Sequence, residues 1–547
     1  MKTREALVNA LVDDGIDTVF CLMGDSVQHL MADLAERPGM RLVHGRHEAS
    51  VVSMADGYAR FGGRTGCAMV TAGPGLTNTA TALAVARAHG SPVLLLAGDR
   101  PADRPARPAD LDQQAFGSLT AGGAGRLVRP DDLPGHWREA QRALADHRPY
   151  VLSLPADVQD AECDKASNLT SPDPDPEPAS LVSIDEIRRA ADALARARTV
   201  GIVAGRGALV CGAGPALREL ADRLGAVLST TLLAHGLFAG HPADAGMVGE
   251  LGTGRARRAL EACDIVLAVG TSIGPMVQTS LPGRARYIVI DREPRPSAVG
   301  YGDARWIRAD ALVAVHALNR VLSGSPAREL DHTVAELLHH PSSADVRAWL
   351  DTDTTLDPRH VLTEIADLLP ADCGVVLGGG HAALNSCHLL RAAAPTTWTC
   401  VSTDFGAIGQ SLPVAIGCAL ARPERRTYHV TGDGDLMMSL SELDTAVRYA
   451  VPLTVVVLND QGFGQERVTL GQRGRPAGLA DHPSPDFAAL ADAMGAQGHR
   501  IEGPADLGRL AHALADHPGP VLVDVRTNPA YLNPAAVRIS RTFTRSA

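Results

Sequence analysis

Lysine is nearly absent from this 547-residue chain. It occurs only at Lys2 and Lys165, and arginine carries almost all of the positive charge. An interior Schiff-base lysine is thereby almost excluded, which sets aside lysine-dependent pyridoxal and aldolase chemistry. Basic residues are not in excess either. Lys and Arg total 51 against 62 Asp and Glu, a net charge of −11, the opposite of a surface that coats nucleic acid. The nine cysteines never form a CxxC pair. They read as reduced thiols of a cytoplasmic protein, and neither as a zinc module nor as a disulfide framework. No run approaches ~18 uninterrupted apolar residues, so no membrane span is expected. The first residues, MKTREALVNALVDDG, lack the apolar stretch of a signal peptide.

What is present is ordinary for a globular chain: 45% hydrophobic and 21% charged residues, which excludes global disorder. At ~150 residues per domain, three domains are the central expectation. Two breaks divide the sequence. Residues 166–182 are rich in Pro, Asp and Ser, and residues 339–360 are polar and turn-rich, as linkers are. The expected domains are 1–165, 183–338 and 356–547.

Within each, short apolar runs alternate with helical patterns. The first has RLVH (41–44), CAMVT (67–71), PVLLLAG (92–98) and PYVLSLP (149–155). The middle has TVGIVAG (199–205), DIVLAVG (264–270) and RYIVID (286–291). The last has CGVVLGG (373–379), RTYHVTG (426–432), LTVVVLN (453–459) and GPVLVDV (519–525). Continuous apolar strands separated by helices imply mainly parallel sheets covered on both faces, hence three α/β domains. Such sheets bind ligands at the carboxyl ends of their strands.

The segment from Gly432 to Asp460 carries the strongest constellation. A strand runs into Gly432-Asp433-Gly434, a helix follows, and a second apolar strand ends at Asn459-Asp460. Both polar clusters fall at one edge of a parallel sheet, where Asp433 and Asp460 can converge. Hard carboxylate oxygens suit Mg²⁺, which keeps phosphate oxygens in its shell. The glycines and the helix start, with Asp435 in the same turn, suit a phosphate.

This stretch resembles the thiamin-diphosphate-binding motif, a GDG followed by an Asn pair. Here 24 residues, 435–458, lie between. The resemblance implies thiamin diphosphate and Mg²⁺ as cofactors. It places the metal ligands on Asp433, Asp460 and the backbone of Gly462, and cofactor contacts at Gly432, Gly434 and Asp435. Asp460 stands where the family most often has Asn. Four first-domain segments follow the order of the family's pyrimidine-binding domain: MGDS (23–26), HEASVVSMADGYAR (47–60), VTAGPGLTN (70–78) and PVLLLAGDRP (92–101). Glu48 then matches the glutamate that hydrogen-bonds the aminopyrimidine ring, and Gly75 lies in a loop beside the cofactor. DFGAIGQSLPVAIGCAL (404–420) resembles the loop that props the cofactor into a bent shape, with Ile408 as the prop and carbonyls near Gly406 as acceptors. GGGH (378–381) matches a segment near the diphosphate. There His381 is either a phosphate contact or a surface-loop histidine.

The resemblance spans almost the whole chain, to the acetolactate-synthase, pyruvate-oxidase and benzoylformate-decarboxylase group. It implies a homodimer or homotetramer whose site joins Glu48 of one subunit to the GDG half of another. Its substrates would be a 2-oxo acid and a carbonyl acceptor. The substrate itself stays open. In ADLDQQAFGSL (109–119), Gln113 or Gln114 fills the position of a family glutamine that faces the reacting centre. An equally good register leaves Ala109 there. The acid–base histidines of plain decarboxylases are missing, and Val70 stands at one of their positions, which leans toward carboligation. FAD occurs in the central domain of some relatives, but Gly205-Arg206-Gly207 does not continue as GxGxxG, which weighs against it. The leading expectation is decarboxylation of a 2-oxo acid with transfer of the enamine to a carbonyl acceptor. The alternatives are a non-ligating decarboxylase and a catalytically silent scaffold or regulatory subunit.

Overall fold

Three six-stranded sheets organise the chain in a computed structural model. It describes all residues except 102, 104–109, 164–181, 279–280, 294–303, 340–348, 516 and 546–547. Ala109 and nearly all of the expected 166–182 linker lie outside the described residues. The first sheet contains β1 (Thr18–Cys21), β2 (Arg41–His44), β3 (Gly66–Val70), β4 (Val93–Asp99), β5 (Ala124–Arg126) and β6 (Tyr150–Pro155). The second contains β7 (Val200–Ala204), β8 (Val227–Thr230), β9 (Asp244–Met247), β10 (Ile265–Val269), β11 (Arg286–Asp291) and β12 (Arg305–Arg308). The third contains β13 (Gly374–Leu377), β14 (Trp398–Cys400), β15 (Thr427–Gly432), β16 (Leu453–Asn459), β17 (Gln497–Ile501) and β18 (Val521–Arg526). Every apolar run singled out in the sequence is one of these strands. β4 and β16 are buried along their whole length, as strands covered on both faces must be.

The strand orders are β2-β1-β3-β4-β6-β5, β12-β11-β10-β7-β8-β9 and β14-β13-β15-β16-β18-β17. Every named strand pair with a described register is parallel. The first and third sheets thus share one order, with a topological switch between β1 and β3 and between β13 and β15. Ligand crevices open at such points. The central sheet has the order of dinucleotide-binding folds.

The chain forms two compact units. One comprises Met1–Asp175, Asp351–Ala383 and Thr399–Tyr531 and holds the first and third sheets. The other comprises Pro176–Leu350, Leu384–Trp398 and Leu532–Ala547 and holds the central sheet. Residues 384–398 and 532–547, expected with the third domain, therefore group with the central sheet. One tie is Arg538, whose guanidinium contacts the Glu250 carboxylate at 2.7 Å and its carbonyl at 3.0 Å.

In the first unit the helices Glu48–Gly62 and Ser411–Ala421 pack at backbone distance. A Cβ on Gly57 would lie 2.0 Å from the Val414 carbonyl oxygen, and one on Gly417 would lie 1.9 Å from that of Met54. Only glycine permits this approach. Ser411–Ala421 is apolar all round and almost wholly buried, with each Leu, Val or Ile contributing ~1.5–3 kcal/mol. This packing fixes the loops at the starts of both helices.

Candidate functional site

β15 and β16 run parallel with Gly432 opposite Leu458. Asp433 and Asp460 therefore leave the sheet side by side, one strand over from the Gly378–His381 turn that follows β13. Asp433 opens the helix Asp433–Met437 and is buried. Ser484 Oγ donates to its Oδ2 at 2.5 Å. Burial pushes its carboxyl up to about 6, opposed by the Ser484 bond and reinforced by the charge of Asp460. Asp460 accepts from Arg467 Nη1 at 3.1 Å, and His381 Nδ1 lies 3.6 Å from the same oxygen.

Two neighbouring carboxylates, one deeply buried, form a site that a cation would relieve. Among the described residues no cluster of three His, Cys, Asp or Glu side chains could hold a metal. A cation here would take the remaining oxygens from the backbone and from a ligand, as Mg²⁺ commonly does. The space supports this. A Cβ on Gly464 would lie 2.5 Å from Asp460 Oδ2 and 2.7 Å from His381 Nδ1. Gly462 is buried and forms an antiparallel bridge with Asp481. His381 Nε2 is buried without a partner, and its ring stacks on Tyr531 at 6.4 Å.

Asp435 has a different environment from the one expected. Its Oδ2 accepts from Gly379 N, Ser411 Oγ and Thr431 Oγ1, each at 2.7 Å, and its Oδ1 from Gly409 N at 2.5 Å. It ties the 378–381 and 406–411 loops to β15, with both carboxylate oxygens engaged by the protein. Ile408, half-buried, sits against Gly379, where a Cβ would meet its Cγ2 at 2.4 Å. Gly406 is exposed in a left-handed conformation (φ +78°). Gly432 precedes the Asp433 helix, and Gly434 lies beneath the Phe463 ring. A cavity of about 330 Å³ opens here, lined by Asp433, Met437, Met438, Phe463, His482 and Ser484 among others. Phe405, Met437 and Met438 are each about half exposed or more.

In the first sheet, Glu48 opens its helix just past β2. Its Oε2 accepts from Asn78 Nδ2 at 3.0 Å. Gly75 is buried in the short helix Pro74–Thr77. The Glu48 loop is clamped by the helix Glu442–Arg448. Glu442 Oε1 accepts from Arg46 N at 3.0 Å, Asp444 pairs with the Arg46 side chain at 2.6 Å, and Arg448 donates to the His44 carbonyl at 2.6 Å.

Gln113 is buried as a strut. Its Oε1 accepts from Gly73 N at 3.0 Å, while its Nε2 donates to Gly98 O at 2.9 Å and Ser153 Oγ at 3.2 Å. It shapes the Gly73–Gly75 turn instead of offering a free amide. Gln114 is exposed. In the central sheet, Gly205 and Gly207 pack against the Gly270–Thr271 backbone, with built Cβ atoms 2.4 and 2.8 Å from it. These contacts bring the turn after β7 against the turn after β10. Sequence reasoning missed Ser484, Arg467 and the Arg46 clamp. Nothing in a linear spacing signals a serine that closes on an aspartate 51 positions away.

Three family models match the chain. They are the N-terminal thiamine pyrophosphate binding domain of thiamine pyrophosphate enzymes over residues 1–117, their central domain over 187–318 and their C-terminal binding domain over 378–525. A probable acetolactate synthase large subunit of Methanocaldococcus jannaschii is 29% identical, over 97% of this chain and 92% of the relative. A probable 2-ketoarginine decarboxylase of Pseudomonas aeruginosa is 32% identical, over 94% and 91%. An acetolactate synthase isozyme 3 large subunit of Escherichia coli is 28% identical, over 94% and 92%.

Proposed function

The chain belongs to the thiamine-pyrophosphate-dependent enzymes of the acetolactate synthase and pyruvate oxidase group, and we propose that it decarboxylates a 2-oxo acid and transfers the remaining fragment to a carbonyl acceptor. The observation that carries the cofactor half is the placement of Asp433 and Asp460 at adjacent strand ends, where the charge of Asp460 helps raise the Asp433 carboxyl.

Asp433, Asp460 and the Gly462 backbone would hold Mg²⁺, and Mg²⁺ would hold the diphosphate. His381, with its unpartnered Nε2, would donate to a phosphate oxygen. Ile408 would support the cofactor's bend. The cofactor, when bound, supplies an acidic thiazolium carbon and an electron sink for the carbanion left by CO₂. Glu48 would hold the proton shared with the aminopyrimidine ring, its carboxylate aimed by Asn78 and its loop by Glu442. Closing the site in a homodimer would bring Glu48 of one subunit to the Asp433 half of the other.

A second reading, plain decarboxylation, is favoured by two observations. Gln113 is committed to the protein interior, and a relative at 32% identity is named a probable 2-ketoarginine decarboxylase. FAD is not part of the proposal, since Gly205-Arg206-Gly207 does not continue as GxGxxG. The discriminating experiment incubates the protein with thiamin diphosphate, Mg²⁺ and a panel of 2-oxo acids, with and without acceptor aldehydes, and reads products by NMR. Hydroxy-ketone product supports carboligation, aldehyde alone supports plain decarboxylation, and no turnover of any acid speaks for a silent subunit.

A further inference from the structure

The segment 480–484 lies against 461–463 as a short antiparallel ladder. Phe463 N donates to Ala480 O at 2.9 Å, His482 N donates to Gln461 O at 2.8 Å, and Gly462 bridges Asp481. The Phe463 and His482 rings meet edge to face at 4.8 Å. The space above Gly462 is closed, since a Cβ there would lie 2.3 Å from Ala480 O and 2.5 Å from Arg467 Nη2.

Both carboxylates of the site are tied to this ladder. Ser484 donates directly to Asp433 Oδ2 at 2.5 Å. Arg467 reaches Asp460 twice, with Nη1 at 3.1 Å from Oδ2 and Nη2 at 3.3 Å from the carbonyl, while its Nε anchors on Asp481 Oδ1 at 2.8 Å. Each carboxylate thus gives its Oδ2, Asp433 to Ser484 of the ladder and Asp460 to Arg467, which is itself anchored on the ladder at Asp481. Oδ1 of each is the oxygen the ladder does not take. Arg467 also offsets the charge of Asp460, a position at which an amide would carry none.

We propose that Ser484 and Arg467 are positioning residues that preset the spacing and orientation of Asp433 and Asp460 for a small octahedral cation, and so set a preference for Mg²⁺ over Ca²⁺. The inference rests on the reading of Asp433 and Asp460 as cation ligands. Mg²⁺ demands near-ideal octahedral geometry at about 2.0–2.1 Å, whereas Ca²⁺ tolerates irregular shells at about 2.3–2.6 Å. Carboxylates free to rotate would therefore lose Mg²⁺ first. Groups that orient metal ligands are worth about 10–100-fold in affinity.

The test is calorimetric titration of Mg²⁺, and separately of Ca²⁺, into full-length protein with thiamin diphosphate present. It compares wild type, Ser484→Ala, Ser484→Thr and Arg467→Met. The expected result is a Mg²⁺ dissociation constant raised about 10–100-fold in Ser484→Ala and Arg467→Met. Ca²⁺ affinity should change much less, so that the Mg²⁺/Ca²⁺ preference collapses. Ser484→Thr, which keeps the hydroxyl, should restore it. Variants that keep the wild-type Mg²⁺ affinity overturn the inference. So does an equal loss of both cations, which would mark the ladder as loop support only. Wild type that binds no Mg²⁺ with the cofactor present overturns the underlying reading and this inference together.

Discussion

Asn78 Nδ2 donates to Glu48 Oε2 at 3.0 Å, joining the first residue of the Glu48–Gly62 helix to the residue that ends the Pro74–Thr77 turn. The bond holds one oxygen of the carboxylate to the protein. Glutamine at position 48 can still accept from Asn78 through its amide oxygen but cannot exchange a proton. Glu48→Gln should fold and bind thiamin diphosphate normally. Exchange of the cofactor's C2 proton, followed by NMR in deuterated buffer, should slow by about 10²–10⁴-fold. Wild-type exchange would reduce Glu48 to a helix-start carboxylate stabilised by the helix dipole.

Asp433 and Asp435 stand two residues apart with opposite consequences for stability. Asp435→Ala removes the acceptor for Gly379 N, Gly409 N, Ser411 Oγ and Thr431 Oγ1. Each buried donor left unpaired costs ~1–3 kcal/mol, so the melting midpoint should fall clearly. Asp433→Asn removes one of two neighbouring carboxylates, one of them buried. The cofactor-free protein should melt at the wild-type midpoint or above it. The rise in midpoint on adding thiamin diphosphate and Mg²⁺ should vanish. The reverse order of stabilities would refute these assignments.

How much of this was legible in the sequence depends on what kind of interaction was involved. Runs such as VLLLAG and TVVVLN read as strands buried on both faces, as they are, and the GDG turn and the Asn459-Asp460 pair fall at one sheet edge, as their spacing implied. Seven short strands went unread: β1, β5, β8, β9, β12, β14 and β17. AGR, DAGM, RWIR and QGHRI carry too little apolar character, and TVFC, VLST and WTC are only three or four residues long. The shared order of the first and third sheets was hidden with them. The hydrogen bonds of Gln113 and Asp435 were not legible for a common reason. A polar residue beside a motif looks like a ligand until its hydrogen bonds are counted, and both are engaged by the protein. The return of residues 384–398 and 532–547 to the central unit depends on long-range ties such as Arg538–Glu250, which no local pattern encodes.

His235 gives a pH dependence of known sign. Burial pushes its imidazole from 6.5 down to about 4, and its ring packs edge to face on Trp398 at 4.8 Å. The unfolded chain takes up the proton near 6.5 and the folded chain only near 4. Stability is therefore complete above the unfolded value, is lost as pH falls from about 6.5 to about 4, and changes no further below. The total is on the order of 3 kcal/mol. His235→Phe keeps the ring contact and removes the proton site. Its melting midpoint should fall less than that of wild type between pH 7 and pH 5, measured by circular dichroism. Parallel curves would show that His235 does not contribute.

The proposed sharing of one site between two subunits predicts complementation. Glu48→Gln and Asp433→Ala subunits, each inactive alone, should regain part of the wild-type turnover when mixed under conditions of subunit exchange. One of the two sites in a mixed dimer would then carry neither substitution. No recovery despite exchange shown by native mass spectrometry would place both residues in one subunit's site.

The central claim is that Asp433 and Asp460, leaving adjacent strands at one sheet edge, hold the cation that holds the cofactor. Calorimetric titration of thiamin diphosphate with Mg²⁺ into wild type and Asp433→Ala tests it most directly. Wild type should bind in a Mg²⁺-dependent manner, and Asp433→Ala should show no retention, because a diphosphate without its cation is left uncompensated. Equal affinity in the two proteins would contradict the account.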